Sequence, residues 1–117
     1  MFLTFLKSKI HRAVVTKADL NYEGSISIDA ELMKNANLYE GEQVDILNIN
    51  NGERFTTYVI AASSGSGHIQ INGAAARKVQ EGDLVIICSY CILDEKEVKN
   101  HQPKLVMIDE NNKVKIK

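Results

Sequence analysis

The chain has no tryptophan, a single proline and only two cysteines, and aromatic residues are 6% of its 117 positions. Each shortage excludes something. No apolar run approaches the roughly 20 residues of a membrane-spanning helix, so the sequence offers no candidate span. Charge of either sign is not in excess: the net value is -1 with pI near 6.3. That argues against a dedicated nucleic-acid binder, which carries a basic face. The cysteines, Cys88 and Cys91, are spaced C-x-x-C in "IICSYC". A structural zinc needs about four ligands, and His11, His68 and His101 are scattered singly. A redox motif would open a helix in a βαβ unit. Here the pair ends "DLVIICSYCIL", which reads as a buried strand, so two packed thiols are expected and no metal.

What is present is ordinary for one small globular domain, with 44% apolar and 25% charged residues. A chain this short excludes a two-lobed enzyme, and a deep active site would need walls from neighbouring subunits. The start, "MFLTFLKSKIHR", has neither a basic leader nor a small-residue cleavage site. It predicts a first strand of the mature fold and a cytoplasmic location.

"VDILNIN" (44–50) and "RFTTYVIAA" (54–62) predict a hairpin across "NGE", since Asn51-Gly52 is a strong turn signal. "HIQIN" (68–72), reached through the "SSGSG" loop, alternates like a strand, and "DLVIICSY" is continuous and apolar like one buried on both faces. "KLVMID" (104–109) and "KVKIK" (113–117) suggest a terminal hairpin or tail. Helices are short: "DAELMKNA" behind the N-cap Asp29, "GAAARKV" (73–79) behind the N-cap Asn72, and "DEKEVKNH" (94–101) with the Asp94/Glu97 capping-box spacing, stopped by Pro103. "LYEGEQVDIL" (38–47) repeats as "VQEGDLVIIC" (79–88) at an offset of 41 residues, each copy preceded by strand, polar cap and short helix, the second connection two residues shorter. Duplication predicts a mainly β chain with a pseudo-two-fold repeat, closed into a small barrel without exposed sheet edges.

Several polar residues stand where a core does not need them. Lys9 and His11 are two apart and share a strand face. Arg54, Thr56 and Tyr58 share one face of the second hairpin strand, with Thr57 on the other. Ser25 opens the strand of "YEGSISID". Asn72-Gly73-Ala74-Ala75 opens a helix with small residues that leave backbone N–H groups approachable. Each also has a plain reading: a strand aromatic with a wet hydroxyl, a solvated strand end, a tight helix packing site. No Ser-His-Asp set, metal cluster or nucleotide loop stands out.

Taken together and in order, "KIHRAVVTKADLNYEGSISID", "NNGERFTTYVI" and "INGAAARKV" with its following "EGD" and "VII" resemble the aspartate 1-decarboxylase family. The resemblance runs from Lys9 to about Tyr90, with Tyr22-Glu23-Gly24-Ser25 its most specific part; beyond about Asp94 it is loosely diagnostic. It implies a double-psi β-barrel, usually a homotetramer with sites between subunits, that makes β-alanine from L-aspartate for pantothenate synthesis. It implies a proenzyme that cuts itself between Gly24 and Ser25, giving a β chain 1–24 and an α chain 25–117. Ser25 Oγ would attack the Gly24 carbonyl to form an ester. Elimination and hydrolysis would then leave a covalently bound pyruvoyl group derived from Ser25, replacing any need for pyridoxal phosphate. Glycine at position 24 permits strained backbone and close approach there. Substrate would bind that group as a Schiff base.

The resemblance further assigns Tyr58 as proton donor, a phenol being protonated at neutral pH. Lys9 and Arg54 would hold substrate carboxylates. Thr57 would orient the Gly24 carbonyl and later contact substrate, and Gly73, Ala74 and Ala75 would line the site with Asn72 steadying it. His11 and Tyr22 match family positions without an assigned proton transfer. Some members need an acetyltransferase-like maturation factor. The departure noticed is Ser27, a position of variable small residues, which the resemblance gives no part in the mechanism. The competing reading is a non-enzymatic barrel module or regulator, disfavoured by the near-neutral charge and by the intact motif positions.

Overall fold

The computed structural model describes residues 1–115. Its longest strand, β1 (Phe2–Val14), is bent by register shifts between Leu6 and Ser8 and between Ile10 and Ala13, the second containing Arg12 at φ 67°. Such bulges turn a strand away from one partner and towards another. β1 pairs antiparallel with β7 (Leu84–Asp94), and its continuation β2 (Lys17–Asp19) pairs parallel with β6 (Ile69–Asn72). The remaining strands are β3 (Ser25–Asp29), β4 (Gln43–Asn48), β5 (Arg54–Ala62) and β8 (Lys104–Met107). The sheet order is β2-β6-β3-β5-β4-β7-β1-β8. Because β1 and β2 are one run of chain, this order closes on itself as a barrel. The seam is held by Val15 N–H to the Asp83 carbonyl at 2.9 Å and Thr16 N–H to the Ile69 carbonyl at 2.8 Å.

Period-2 alternation fills the barrel. Ile26 and Ile28 of β3, Ile46 of β4, Val59 of β5, Ile69 and Ile71 of β6 and Ile87 of β7 are sealed from water. Each such side chain contributes roughly 1.5–3 kcal/mol on burial, and β-branched residues suit the pleated surface. The helix α1 (Ala30–Ala36) closes one end with Leu32, Met33 and Ala36. Its N-cap Asp29 accepts from Glu31 N–H at 2.8 Å, as the sequence suggests. The same buried carboxylate also accepts from Gly65 N–H (2.9 Å) and Gly67 N–H (2.8 Å), which pins the "SSGSG" loop.

The repeat is real at atomic detail. Tyr39 N–H bonds Glu42 Oε1 at 3.0 Å, and Gln80 N–H bonds Asp83 Oδ2 at 2.9 Å. Gly41 (φ 86°) donates to the Val59 carbonyl, and Gly82 (φ 91°) to the Val15 carbonyl. Ile46 pairs with its own counterpart Ile87, and Ser27 with its own counterpart Gln70. A pseudo-two-fold axis therefore passes through both pairs. It makes Asp29, at the end of β3, the counterpart of Asn72, at the end of β6.

Two expectations need correction. The hairpin loop is longer than "NGE", because β4 stops at Asn48. "GAAARKV" and "DEKEVKNH" are 3-10 turns, Gly73–Lys78 and Glu95–Asn100; the second has its capping box, whereas Asn72 makes no side-chain cap to the first. The terminal hairpin forms but is minimal, an antiparallel bridge from Ile108 to Val114 with Lys115 N–H on the Met107 carbonyl at 2.9 Å, while β8 itself also pairs parallel with β1. Asn112, whose buried side chain bonds Val14 N–H, the Val14 carbonyl and the Gly67 carbonyl, ties the C-terminal turn to the barrel seam. The last two residues of "KVKIK" lie outside the described residues.

Candidate functional site

Gly24 and Ser25 stand at the mouth of β3, between β6 and β5. Residues 22–24 are exposed, and the next residue, Ser25, is wholly buried. β6 runs antiparallel to β3 and sets Asn72 opposite Ser25. Cross-strand partners share a face, and Asn72 Nδ2 donates to Ser25 Oγ at 2.9 Å. It also donates to Ser27 Oγ at 3.1 Å, and Asn72 Oδ1 accepts from Gln70 Nε2 at 2.8 Å. The Asn72 side chain therefore serves Ser25 and not the turn that follows it.

Gly24 has no positive φ, and a Cβ there would meet nothing within 4 Å. The strained glycine expected at position 24 is instead Gly73, at φ 72°. A Cβ on Gly73 would stand 2.8 Å from Gly24 Cα, 2.9 Å from Gly24 N and 3.1 Å from the Tyr22 carbonyl oxygen. The turn after β6 thus seats the scissile segment backbone to backbone. Ala74 is exposed and Ala75 half-buried beside it.

On the other side, β5 runs parallel to β3 with Ile26 level with Val59, which sets Ser25 level with Tyr58. Tyr58 is exposed on the outer face with Arg54 and Thr56, while Thr57 turns inward opposite Val44. No hydrogen bond joins Thr57 to Gly24 among the described residues. Arg54 begins the strand, four residues and about 13 Å before Tyr58.

Lys9 belongs to a second group. It lies opposite Cys88, Cys88 opposite Asp45, and Asp45 opposite Thr56, a lateral row over β1, β7, β4 and β5. Thr56 Oγ1 donates to Asp45 Oδ1 at 2.8 Å. Burial pushes the Cys88 thiol up, against a hydrogen bond from Tyr90 and the charges of Lys9 and Arg54. Burial likewise raises the Tyr90 phenol, helped by Cys88 and Asp45. So Lys9 and Arg54 border one outer patch around Cys88, Asp45 and Tyr90. Sequence reasoning missed Asp45 and Tyr90; the one signal was an acid inside the otherwise apolar "VDIL". Cys88 and Cys91 are free thiols, and their odd spacing along a strand sends them to opposite faces.

β5, β4 and β7 separate β1 from β3, and the route through β6 starts only at Lys17. One chain therefore gathers Gly24, Ser25, Tyr58, Asn72 and Gly73, and keeps Lys9 apart. His11 also stands away from Ser25. Its Nδ1 is buried without a partner, and burial, then Lys9 and Arg12, lower its pKa, so the ring is neutral at pH 7. Among the described residues no three His, Cys, Asp or Glu side chains gather to hold a metal ion.

Comparison with known proteins places the fold and the family. The crystal structure of a rationally designed double-psi β-barrel (mkDPBB_sym_86) superposes with a TM-score of 0.50 at 15% identity, covering 66% of this chain and 90% of the design. The chain is 60% identical over 114 residues to the aspartate 1-decarboxylase of Caldicellulosiruptor bescii, covering 97% of this chain and 89% of the relative. It is 59% identical to that of Leptothrix cholodnii (98% and 88% covered) and 56% identical to that of Neisseria meningitidis (98% and 91% covered). The aspartate decarboxylase family model matches residues 1–115. A double-psi barrel with a buried serine after an exposed glycine, and a match over nearly the whole sequence, leave one assignment: the chain belongs to the aspartate decarboxylase family.

Proposed function

We propose that the chain cuts itself between Gly24 and Ser25 and then decarboxylates L-aspartate to β-alanine. The observation that carries this reading is the 2.9 Å hydrogen bond from Asn72 to the buried Ser25 hydroxyl, at a junction where Gly73 packs on Gly24. In scission, Ser25 Oγ bonds the Gly24 carbonyl carbon and gives up its proton, the C–N bond breaks, and the Ser25 nitrogen takes up that proton as a free amine. Loss of the Ser25 Cα proton expels the Gly24 carboxylate, and water then displaces ammonia. The products are a β chain 1–24 and an α chain 25–117 that begins with a pyruvoyl group. Asn72 donates to Oγ and so would stabilise the negative charge that Oγ carries as it loses its proton, before it bonds the carbonyl carbon.

The surrounding residues fit that group: the position is dry, bordered by the Asn72 amide and by β5, and Gly73 keeps side-chain bulk away. It would supply an electrophilic ketone that takes the substrate amine and accepts the electrons released with CO₂. Tyr58, level with Ser25 and open to solvent, would return a proton to the carbon. Arg54 and Lys9 would clamp the substrate carboxylates, Arg54 with a bidentate fork. Ala74 and Ala75 offer backbone and no bulk, and Thr57 serves the inner side of the junction.

Because Lys9 lies across the barrel from Ser25, a complete site draws Lys9 from a second copy, in keeping with a homotetramer in the cytoplasm. Among the described residues no helix is long and apolar enough to cross a membrane. Denaturing mass spectrometry tests the reading: masses for 1–24 and for 25–117 with a blocked N-terminus are expected. Intact chain alone, after prolonged warming with a maturation factor supplied, would overturn it.

A further inference from the structure

We infer that Gln70 and Ser27 are positioning residues for scission, holding the Asn72 amide with its nitrogen towards Ser25. The inference rests on the self-cleavage reading and adds two side chains to it. Asn72 is fully buried, and both its polar side-chain atoms are bonded: Oδ1 accepts from Gln70 Nε2 at 2.8 Å, and Nδ2 donates to Ser25 Oγ at 2.9 Å and Ser27 Oγ at 3.1 Å. A primary amide has only two N–H donors, so both are committed.

Hydroxyls donate or accept equally well. The two serines alone would accept either orientation of Asn72. Gln70, in the orientation the structure gives it, breaks that tie: its N–H₂ end faces Asn72, and only an oxygen can receive it. Ser27 is the cross-strand partner of Gln70 and fills the second donor. With nitrogen towards Ser25, the Oγ proton stays free to leave and the developing negative charge meets a donor. In the reversed orientation a carbonyl oxygen would hold that proton and repel the charge. A fully satisfied buried network of this kind fixes one geometry. Ser27, a position without a role in the family resemblance, acquires one here through Gln70 and Asn72.

The test follows scission of full-length chain made by cell-free translation in bacterial extract and moved into buffers from about pH 4.5 to 8. Appearance of 25–117 is read by denaturing mass spectrometry, with melting temperature in parallel. Gln70→Glu keeps the shape but presents only acceptors when ionised. It should cut at least about tenfold more slowly than the parent at pH 8, and the deficit should shrink as pH falls and the carboxyl regains a proton to donate. Gln70→Met, similar in length and without a donor, should be slow at every pH. Ser27→Ala should lose less, about threefold, because Gln70 still orients the amide. Folded Gln70 variants cutting within about twofold of the parent at every pH would overturn the inference; so would a Gln70→Glu deficit that ignores pH and equals that of Gln70→Met. Should Gln70→Glu fail to fold, parent rates in both Gln70→Met and Ser27→Ala would overturn it alone. A parent that never cuts would instead remove the reading beneath it.

Discussion

Gly73 and Gly24 touch through their backbones, so closely that a methyl group on Gly73 would sit 2.8 Å from Gly24 Cα. Only one of these two glycines is required by the fold. Gly73→Ala meets both a left-handed φ, about 1–2 kcal/mol for an L-residue, and a backbone clash. It should destabilise the chain by about 2 kcal/mol or more and lower the melting temperature by several degrees. Gly24→Ala has open space and an ordinary φ, so its stability should stay within about 0.5 kcal/mol of the parent. Denaturant melts of the two variants, each also carrying Ser25→Ala to keep the chain uncut, decide this, and equal losses would contradict the geometry.

Tyr58 is separable from scission, because Asn72 and not Tyr58 bonds the Ser25 hydroxyl. Tyr58→Phe should yield both fragments at close to the parent rate. Its β-alanine production should fall about 10²–10⁴-fold, the range for losing a general acid. Unchanged turnover would remove Tyr58 from proton transfer.

The separation of Lys9 from Ser25 predicts complementation. Lys9→Ala and Ser25→Ala chains should each be inactive alone, the second also uncut. Co-expressed, mixed assemblies should contain sites with Ser25 from one copy and Lys9 from the other, and β-alanine formation should return. No activity from a verified mixed assembly would place both residues in one chain's site.

Asp29 predicts an acid limit. Burial alone would raise its pKa, but N–H donors of Gly67, Glu31 and Gly65, with Lys113 nearby, hold it below 3.8. A carboxylate with a depressed folded pKa stabilises the fold above its unfolded pKa, and that contribution is lost as pH falls through the folded value. Urea melts should show it intact at pH 7 and declining below about pH 4. Asp29→Asn should lose about 1–3 kcal/mol at pH 7 and show a shallower acid decline. Parallel pH profiles would exclude this role.

Local pattern carried much of the fold into view. Alternating strands, Asn51-Gly52, the Asp94/Glu97 box and the "EGE"/"EGD" repeat are signals within a few residues of one another. Long-range geometry was hidden: β8 lies parallel beside β1, and Asn112 reaches Val14, 98 residues away. Asn72 is the instructive case. Its sequence context suggests an N-cap, yet the barrel brings β3 alongside and its side chain serves Ser25. The pseudo-two-fold axis shows why. Asp29 reaches from the end of β3 to Gly67, just before β6, as Asn72 reaches from the end of β6 to Ser25 at the start of β3. One copy uses an acceptor to lock a loop, and the other a donor to hold a nucleophile. That difference cannot be read from spacing alone.

β1 and β2 precede the scissile bond, and their partners β7, β8 and β6 all follow it. The cut therefore severs the chain without removing a wall of the barrel. It does change the kinetics of refolding. Before scission, the unfolded protein regains the barrel as a single molecule. Afterwards, a 24-residue peptide must find its larger partner by diffusion, so recovery from denaturant becomes second order and fails on dilution. If the chain cuts itself as proposed, folding has to come first and cutting second, and a matured molecule that unfolds has no unimolecular way back.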